Sequence, residues 1–161
     1  MPDFTSDNAA VDSPAARLEG TGTGPVPAGD RQDMVVLHAV ARSLMQRRDV
    51  GEGLQEVLEI LARHKKLING CLTLRNPDTD TFVIEASTGL TREEAGRGAY
   101  ALGDGVTGTV AATGQPLLVA DIGRDNRFLN RTRARTGRHS AFLCVPIVHR
   151  GRVIGTLSVD R

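Results

Sequence analysis

The chain has 161 residues, of which 40% are hydrophobic, with no tryptophan and one tyrosine; this is enough for one domain with an aliphatic core. Its formal net charge is only +1, so the overall charge does not point to nucleic acid, and no apolar run approaches the length of a membrane span. Two cysteines 73 positions apart form neither a disulfide framework nor a metal-ligand cluster. With an acidic, polar start, this composition predicts a cytoplasmic protein.

The first 30 residues carry five acidic residues against one basic residue and show no hydrophobic periodicity. Residues 20–29 alternate glycine with threonine before two prolines, a pattern typical of flexible chain. Too few apolar side chains are present to offset the entropy of ordering, about 1–2 kcal/mol per residue. We therefore predict a disordered leader over residues 1–30 and one folded domain over residues 31–161.

Two amphipathic helices are predicted next, over about 31–47 and 50–66. The first carries an apolar stripe at helical spacing. This stripe consists of Leu37, Val40, Ala41, Leu44 and Met45. The second helix repeats the spacing and begins at a capping box formed by Asp49 and Glu52.

A β-hairpin is predicted after the helices, because two β-rich runs, 69–75 and 81–87, flank a turn rich in proline, aspartate and asparagine. Thr91 and Glu94 form a second capping box that opens a short helix. A glycine-rich turn then leads into another short helix over 106–113.

The remaining elements are a strand that begins at Pro116, a long polar loop and a second hairpin. The strands of this hairpin, about 141–148 and 152–159, are nearly continuous apolar runs, so we place them at the centre of the sheet. The order of all elements predicts an α+β fold with a largely antiparallel sheet.

The polar loop over residues 124–139, here called the arginine loop, is the best functional candidate. Six arginines lie between residues 124 and 138, against the single acid Asp125. Loops of this length are uncommon in compact domains and tend to be functional. Phe128 and Leu129 are expected to anchor the loop on the sheet while an arginine faces a cavity and grips a carboxylate. The loop thus predicts a small dicarboxylate or another anionic metabolite as ligand; a purely solvated loop is the alternative.

The other motifs in the sequence do not indicate catalysis or cofactor binding. Gly103, Gly105 and Gly108 match a dinucleotide-binding fingerprint, but the strand and helix order around them does not, so we interpret them as a sharp turn under a closely packed helix. Cys71 and Cys144 fall inside apolar strands and are predicted to be buried. No nucleophile with a base and an orienting group is found, so we predict that the chain is not an enzyme and needs no cofactor.

Three sequence segments in the last third of the chain resemble a known family. They are L-G-D-G-V-T-G-T-V-A-A-T-G-Q-P, R-F-L-N-R-T, and S-A-F-L-C-V-P-I-V followed by G-R-V-I-G-T-L-S-V-D-R. From Asp33 to Arg161 the chain resembles a GAF domain, in particular the amino-terminal regulatory domain of NifA-type activators of sigma-54 RNA polymerase. The resemblance implies a largely antiparallel sheet with the amino-terminal helices on one face and a ligand cavity on the other. It also implies a carboxy-terminal helix, which is missing here, so we interpret the domain as incomplete at that end.

The same resemblance implies a function. It predicts the sensor domain of a sigma-54-dependent activator of nitrogen-fixation genes, which controls an ATPase domain absent from this chain. The implied effectors are a small anion such as 2-oxoglutarate and NifL-like or PII-like regulatory proteins. A homodimer is expected in the full-length protein, with no DNA contact and no membrane contact by this domain.

Two alternatives stay open. One is a GAF interaction or dimerisation module without a ligand, in another signalling protein such as a sensor kinase. The other is a redox-active GAF enzyme such as a methionine-sulfoxide reductase, which requires reactive cysteines beside the pocket.

The candidate ligand-binding residues come from the short strand before the glycine-rich turn, from that turn and its helix, and from the arginine loop with the segment before it. They are Tyr100, Gly105, Val106, Thr107, Asp121, Arg127, Phe128, Asn130, Arg131 and Thr132.

Overall fold

A computed structural model describes residues 28–46, 49–65, 67–135 and 140–161. Nearly all of the predicted leader, and the last four residues of the arginine loop, lie outside the described residues. Among the described residues, no helix combines the length and the apolar character that crossing a lipid bilayer requires.

The described chain forms four helices and six strands in the predicted order. The helices are α1 (Ala28–Gln46), α2 (Val50–Lys65), α3 (Arg92–Gly96) and α4 (Gly105–Thr113). The strands are β1 (Asn69–Asn76), β2 (Thr81–Thr88), β3 (Ala99–Tyr100), β4 (Leu117–Val119), β5 (Phe142–His149) and β6 (Arg152–Asp160).

The six strands form one antiparallel sheet in the order β3-β2-β1-β6-β5-β4. The first hairpin, β1–β2, and the last, β5–β6, meet where β1 pairs with β6. This register places Cys71 opposite Ser158, and Ser158 opposite Cys144 on the other neighbour. The apolar strand β6 is central, as predicted, whereas β4, which follows Pro116, is an edge strand, where a missing backbone donor is tolerated.

Successive side chains along the central strands point to opposite faces of the sheet, so each face packs against different elements. On one face Leu72 packs with Leu58 of α2 and Ala86 of β2. On the other face, Val106 and Val110 of α4 pack with residues of β4 and β5. The amino-terminal helices and α4 therefore lie on opposite sides, as the α+β prediction requires.

The predicted helix boundaries have the expected physical causes. The backbone amide of Glu52 donates to Asp49 Oδ1 at 2.9 Å, and Thr91 and Glu94 form both bonds of a capping box. Gly114 ends α4 in the left-handed conformation, with φ of 66°.

Helix α1 does not bury its predicted apolar stripe against the domain, as an amphipathic helix is expected to do. The residues that pack against α2 include Val36 and Ser43, and the Ser43 hydroxyl donates to Glu56 at 2.8 Å. In contrast, Leu37, Leu44 and Met45 of the apolar stripe are 61%, 50% and 85% exposed. The most hydrophobic side of α1 therefore faces away from the domain.

We predict that Gly108→Ala lowers the free energy of unfolding by about 1–3 kcal/mol, because overpacking forces the backbone apart. A Cβ atom there would lie 2.1 Å from the carbonyl oxygen of Ala101. Gly96→Ala is the matched control, since a Cβ atom at Gly96 meets nothing within 4 Å. Urea unfolding measures both variants, and equal effects would contradict the close approach of α4 to the turn.

Candidate functional site

The face of the sheet away from α2 contains a small cavity beneath the arginine loop. We call it the inner cavity; its volume is about 10 Å³, room for about one water molecule. Strands β1, β2, β3, β5 and β6, helix α4 and the arginine loop all contribute to its wall. The lining residues are Cys71, Thr73, Ile84, Tyr100, Val106, Thr107, Phe128, Leu129, Arg135, Phe142 and Ser158.

The glycine-rich turn lets the arginine loop approach α4 closely. Gly103 and Gly105 have φ values of 84° and 60°, where glycine is strongly favoured. A Cβ atom on Gly105 would lie 2.8 Å from Leu129 Cγ, so a larger residue would push the loop away. Gly103 and Gly105 thus serve the sharp turn, and Gly105 and Gly108 allow the close approach of loop and helix, in line with the predicted turn under a closely packed helix.

The arginine loop is fixed to the domain by hydrogen bonds to its backbone. Arg97, which follows α3, donates twice to the carbonyl oxygen of Thr132, at 3.2 and 2.7 Å. Asn130 Nδ2 donates to the carbonyl oxygen of Arg135 at 2.9 Å. Phe128 packs edge-to-face on Phe142 with ring centroids 5.1 Å apart. The aromatic anchor predicted from the sequence is therefore present.

Two arginines of the loop are held at the surface by acids. Arg131 Nη2 donates to Asp104 Oδ2 at 2.6 Å, and Arg127 Nη2 donates to Asp125 Oδ2 at the same distance. The hydrogen bonds from Arg127 lower the pKa of Asp125 to about 2. Both pairs are solvent-exposed, so each adds little to stability, but they fix the positions of these guanidinium groups.

A second depression, here called the outer groove, lies beside the inner cavity. It is lined by Arg97, Phe128, Leu129, Asn130, Arg131 and Arg133. Phe128 and Leu129 line both spaces. These two side chains therefore form a thin partition between the inner cavity and a surface that is rich in arginine.

Arg135 is the arginine that faces inward. Its side chain is 4% exposed, and its Nε donates to Asp160 Oδ2 at 2.5 Å. Asn69 Nδ2 donates to the same oxygen at 2.9 Å. The guanidinium carbon also lies 5.7 and 5.5 Å from the ring centroids of Phe128 and Phe142, within cation–π range.

The ionisable groups near the cavity keep their ordinary protonation. Burial lowers the pKa of Arg135, but the neighbouring Asp160 carboxylate outweighs this and raises the pKa overall, so the arginine stays charged. Burial raises the pKa of Tyr100 to about 12 and that of Cys144 to about 11. Burial also raises the pKa of Cys71, although Arg135 partly counteracts it. Neither thiol is exposed or low in pKa, so neither has the properties of a reactive cysteine.

The predicted site residues fall in three places. Tyr100, Val106, Thr107 and Phe128 line the inner cavity, and Phe128, Asn130 and Arg131 line the outer groove. Asp121 and Arg127 border a separate surface depression.

The other two candidates have backbone roles. Thr132 is 1% exposed and accepts the bonds from Arg97, while Gly105 lies beneath Leu129.

Arg135 was missing from the predicted set. Its partner Asp160 lies 25 positions away on a different element, and nothing near Arg135 in the sequence distinguishes it from the other arginines. The available signal was in β6, where Thr156, Ser158 and Asp160 alternate with apolar residues. That alternation places a carboxylate on the cavity side of the sheet, where a cation must accompany it.

Comparison with known proteins agrees with this architecture. A family model described as the GAF domain matches residues 49–161. The chain belongs to the GAF domain family. The nitrogen fixation protein VnfA of Azotobacter vinelandii is 35% identical over 130 residues, which cover 78% of this chain and 25% of VnfA. A Nif-specific regulatory protein of Herbaspirillum seropedicae is 30% identical over 132 residues, which cover 80% of this chain and 24% of that protein.

Solved structures support the same fold. The crystal structure of the A. aeolicus nlh2 GAF domain in an inactive state superposes with a TM-score of 0.71 at 24% identity, covering 82% of this chain and 80% of that one. The predicted GAF resemblance, with its antiparallel sheet, is confirmed. This GAF domain spans about a quarter of the length of the curated nitrogen-fixation regulators that it matches.

We predict that Asp160→Ala lowers the free energy of unfolding by about 3–5 kcal/mol, because it leaves the Arg135 guanidinium buried without its counter-ion. The double variant Arg135→Met with Asp160→Leu should recover most of that loss, since no charge is then buried. Asp33→Ala, which breaks the exposed pair of Asp33 and Lys65, is the control and should change stability little. Urea unfolding compares the three; a loss in Asp160→Ala no larger than in the control would contradict a structural role for the pair.

Proposed function

We propose that this GAF domain is the sensor of a sigma-54-dependent activator of nitrogen-fixation genes and controls an ATPase domain outside this chain. The observation that carries the proposal is the similarity to VnfA, 35% identity over 130 residues, or 78% of this chain. The similarity to the Nif-specific regulatory protein of Herbaspirillum seropedicae supports a regulatory, non-enzymatic role, and we place this role in the cytoplasm.

The proposed effector is a small anionic metabolite of the 2-oxoglutarate type, with NifL-like or PII-like proteins as further regulators. The positive surface of the outer groove supports an anion, since Arg97, Arg131 and Arg133 border it. The candidate residues Tyr100 and Thr107, on the wall of the inner cavity, add polar groups behind it. We take the outer groove and the inner cavity together as the binding region, with no cofactor.

Control of the ATPase domain follows from differential binding. An effector that prefers one conformation of the sensor shifts its population, and the changed surface alters how the neighbouring domain docks. The arginine loop suits this role because its position depends on one aromatic anchor, Phe128, and on a few polar contacts.

A chimera tests this function. In VnfA, the matching segment is replaced by this chain, and activation of a nitrogen-fixation promoter is measured with a reporter at high and low nitrogen supply. We expect at least about a fivefold change between conditions, the lower end of usual allosteric coupling. The control is VnfA with the segment deleted. A chimera that behaves like the deletion under every condition would contradict a sensory role.

The second candidate function, a dimerisation module, is favoured by the exposed stripe on α1. Met34, Leu37, Ala41 and Leu44 follow the three-and-four spacing of a coiled-coil seam. Met34 and Leu37 are 62% and 61% exposed. We propose that a second copy of this helix covers the stripe, so that the regulator is a homodimer.

Sedimentation equilibrium tests the dimer. Leu37→Glu with Leu44→Glu should weaken self-association at least about tenfold, because two charges would enter an apolar seam. Val35→Glu is the matched control: Val35 is 59% exposed on the same helix but borders the groove towards α2. A wild-type domain that remains monomeric at its highest soluble concentration, or equal weakening by the control, would overturn this proposal.

A further inference from the structure

The inner cavity contains a strong hydrogen-bond donor, Arg135 Nη2, that has no nitrogen or oxygen acceptor in the described chain; beside it, the guanidinium interacts with the Cys71 thiol, a weak acceptor. Among the buried side-chain nitrogen and oxygen atoms of the described residues, Arg135 Nη2 and Asp160 Oδ1 lack a partner. Arg135 lines the inner cavity, and its side chain is 4% exposed. Leaving such a donor unpaired in a buried place is costly. The guanidinium is therefore prepared for an acceptor that enters the cavity.

The wall around this donor selects the charge of that acceptor. Among the described residues that line the cavity, Arg135 is the single side chain with a full charge. Tyr100 keeps its proton, since burial raises its pKa to about 12, and Thr107 contributes a hydroxyl group. No carboxylate belongs to the lining, because Asp160 lies behind the guanidinium. A donor-rich wall with one cation suits a carboxylate oxygen.

The size of the cavity decides how such a group can arrive. A volume of about 10 Å³ holds a water molecule but not an organic acid. Phe128 and Leu129 border both the inner cavity and the outer groove. Leu129 is 38% exposed, so it can move into solvent without disturbing the core. An organic acid enters from the arginine-rich groove when this partition opens.

We propose that Arg135 anchors the effector: a small organic acid places one carboxylate on Arg135 Nη2 inside the cavity, and the rest of the molecule replaces the partition of Phe128 and Leu129. This inference rests on the proposed metabolite-sensing function and adds the anchoring residue and the entry route. It differs from the expectation that Arg127 or Arg131 grips the ligand, because both are held at the surface by acids.

The contact between Arg135 and Asp160 connects ligand binding in the inner cavity to the rest of the domain. Arg135 shares its charge with Asp160 at the end of β6, and Asp160 also accepts from Asn69 at the start of β1. A carboxylate on Arg135 Nη2 brings a second anion close to Asp160, which is already bound to Nε of the same guanidinium, and the two carboxylates repel each other. Binding therefore loosens the contact that ties the arginine loop to the ends of the two central strands.

Isothermal titration of this chain tests the anchor. The probes are 2-oxoglutarate, succinate and succinamide, the neutral diamide of succinate with nearly the same shape. We expect at least one acid to bind and succinamide not to bind. Arg135→Gln with Asp160→Asn keeps hydrogen-bonding groups but removes both charges; it should weaken acid binding at least about tenfold, the value of one charge-assisted bond. Arg127→Ala is the control and should bind as the wild type does.

A measurement on the wild type covers the case in which the double variant does not fold. The ¹⁵N resonance of the Arg135 guanidinium should shift on addition of the acid, while that of Arg127 should not. Unchanged binding in a folded double variant, equal binding of succinamide, or an unshifted Arg135 resonance would overturn the anchor.

The two proposals fail separately. If no acid binds while the VnfA chimera still responds to nitrogen supply, the anchor is wrong and the sensory function stands with a protein regulator as effector. If the chimera also fails to respond, both proposals are wrong.

Discussion

The buried pair of Arg135 and Asp160 is the contact on which the cavity side of this domain depends. It joins the end of the arginine loop to the end of β6, and through Asn69 to the start of β1. Removing two charges from water costs several kcal/mol per ion, which only good geometry and further hydrogen bonds can offset. The aromatic rings of Phe128 and Phe142 also lie within cation–π range of the guanidinium. The pair therefore fixes where the loop can lie.

This contact divides the arginines of the loop into two kinds. Arg127 and Arg131 are exposed and paired with acids, so their charges are screened and their repulsion is reduced. Arg135 is buried, and one of its nitrogens is unsatisfied. Several arginines can thus occupy one compact loop, because Arg127 and Arg131 lie in solvent beside acids, whereas Arg135 is buried beside Asp160. Arginines that are neighbours in the sequence therefore lie in different places in the fold: Arg135 lines the inner cavity, while Arg131 and Arg133 border the outer groove.

The central strands connect the cavity to the opposite side of the domain. Along β1, Cys71 and Thr73 face the cavity while Leu72 packs on Leu58 of α2. A close-packed interior transmits a displacement from one face to the other rather than absorbing it. A ligand that alters the ends of β1 and β6 therefore acts on the strands that support α2 and, beyond it, α1. The proposed binding region and the proposed dimer surface on α1 are thus connected through this sheet and α2.

The sequence alone determined the elements, because their causes are local: capping boxes at Asp49 and Thr91, a left-handed Gly114, and the alternation of apolar residues in the strands. The sequence segments that resemble the GAF family predicted the fold and the face of the sheet on which the cavity lies. Only the tertiary structure decided which arginine enters the cavity, since the choice depends on Asp160, which the folded sheet brings beside the loop. It also decided that the stripe of α1 faces outward. Helical periodicity identifies an apolar side but not which surface covers it.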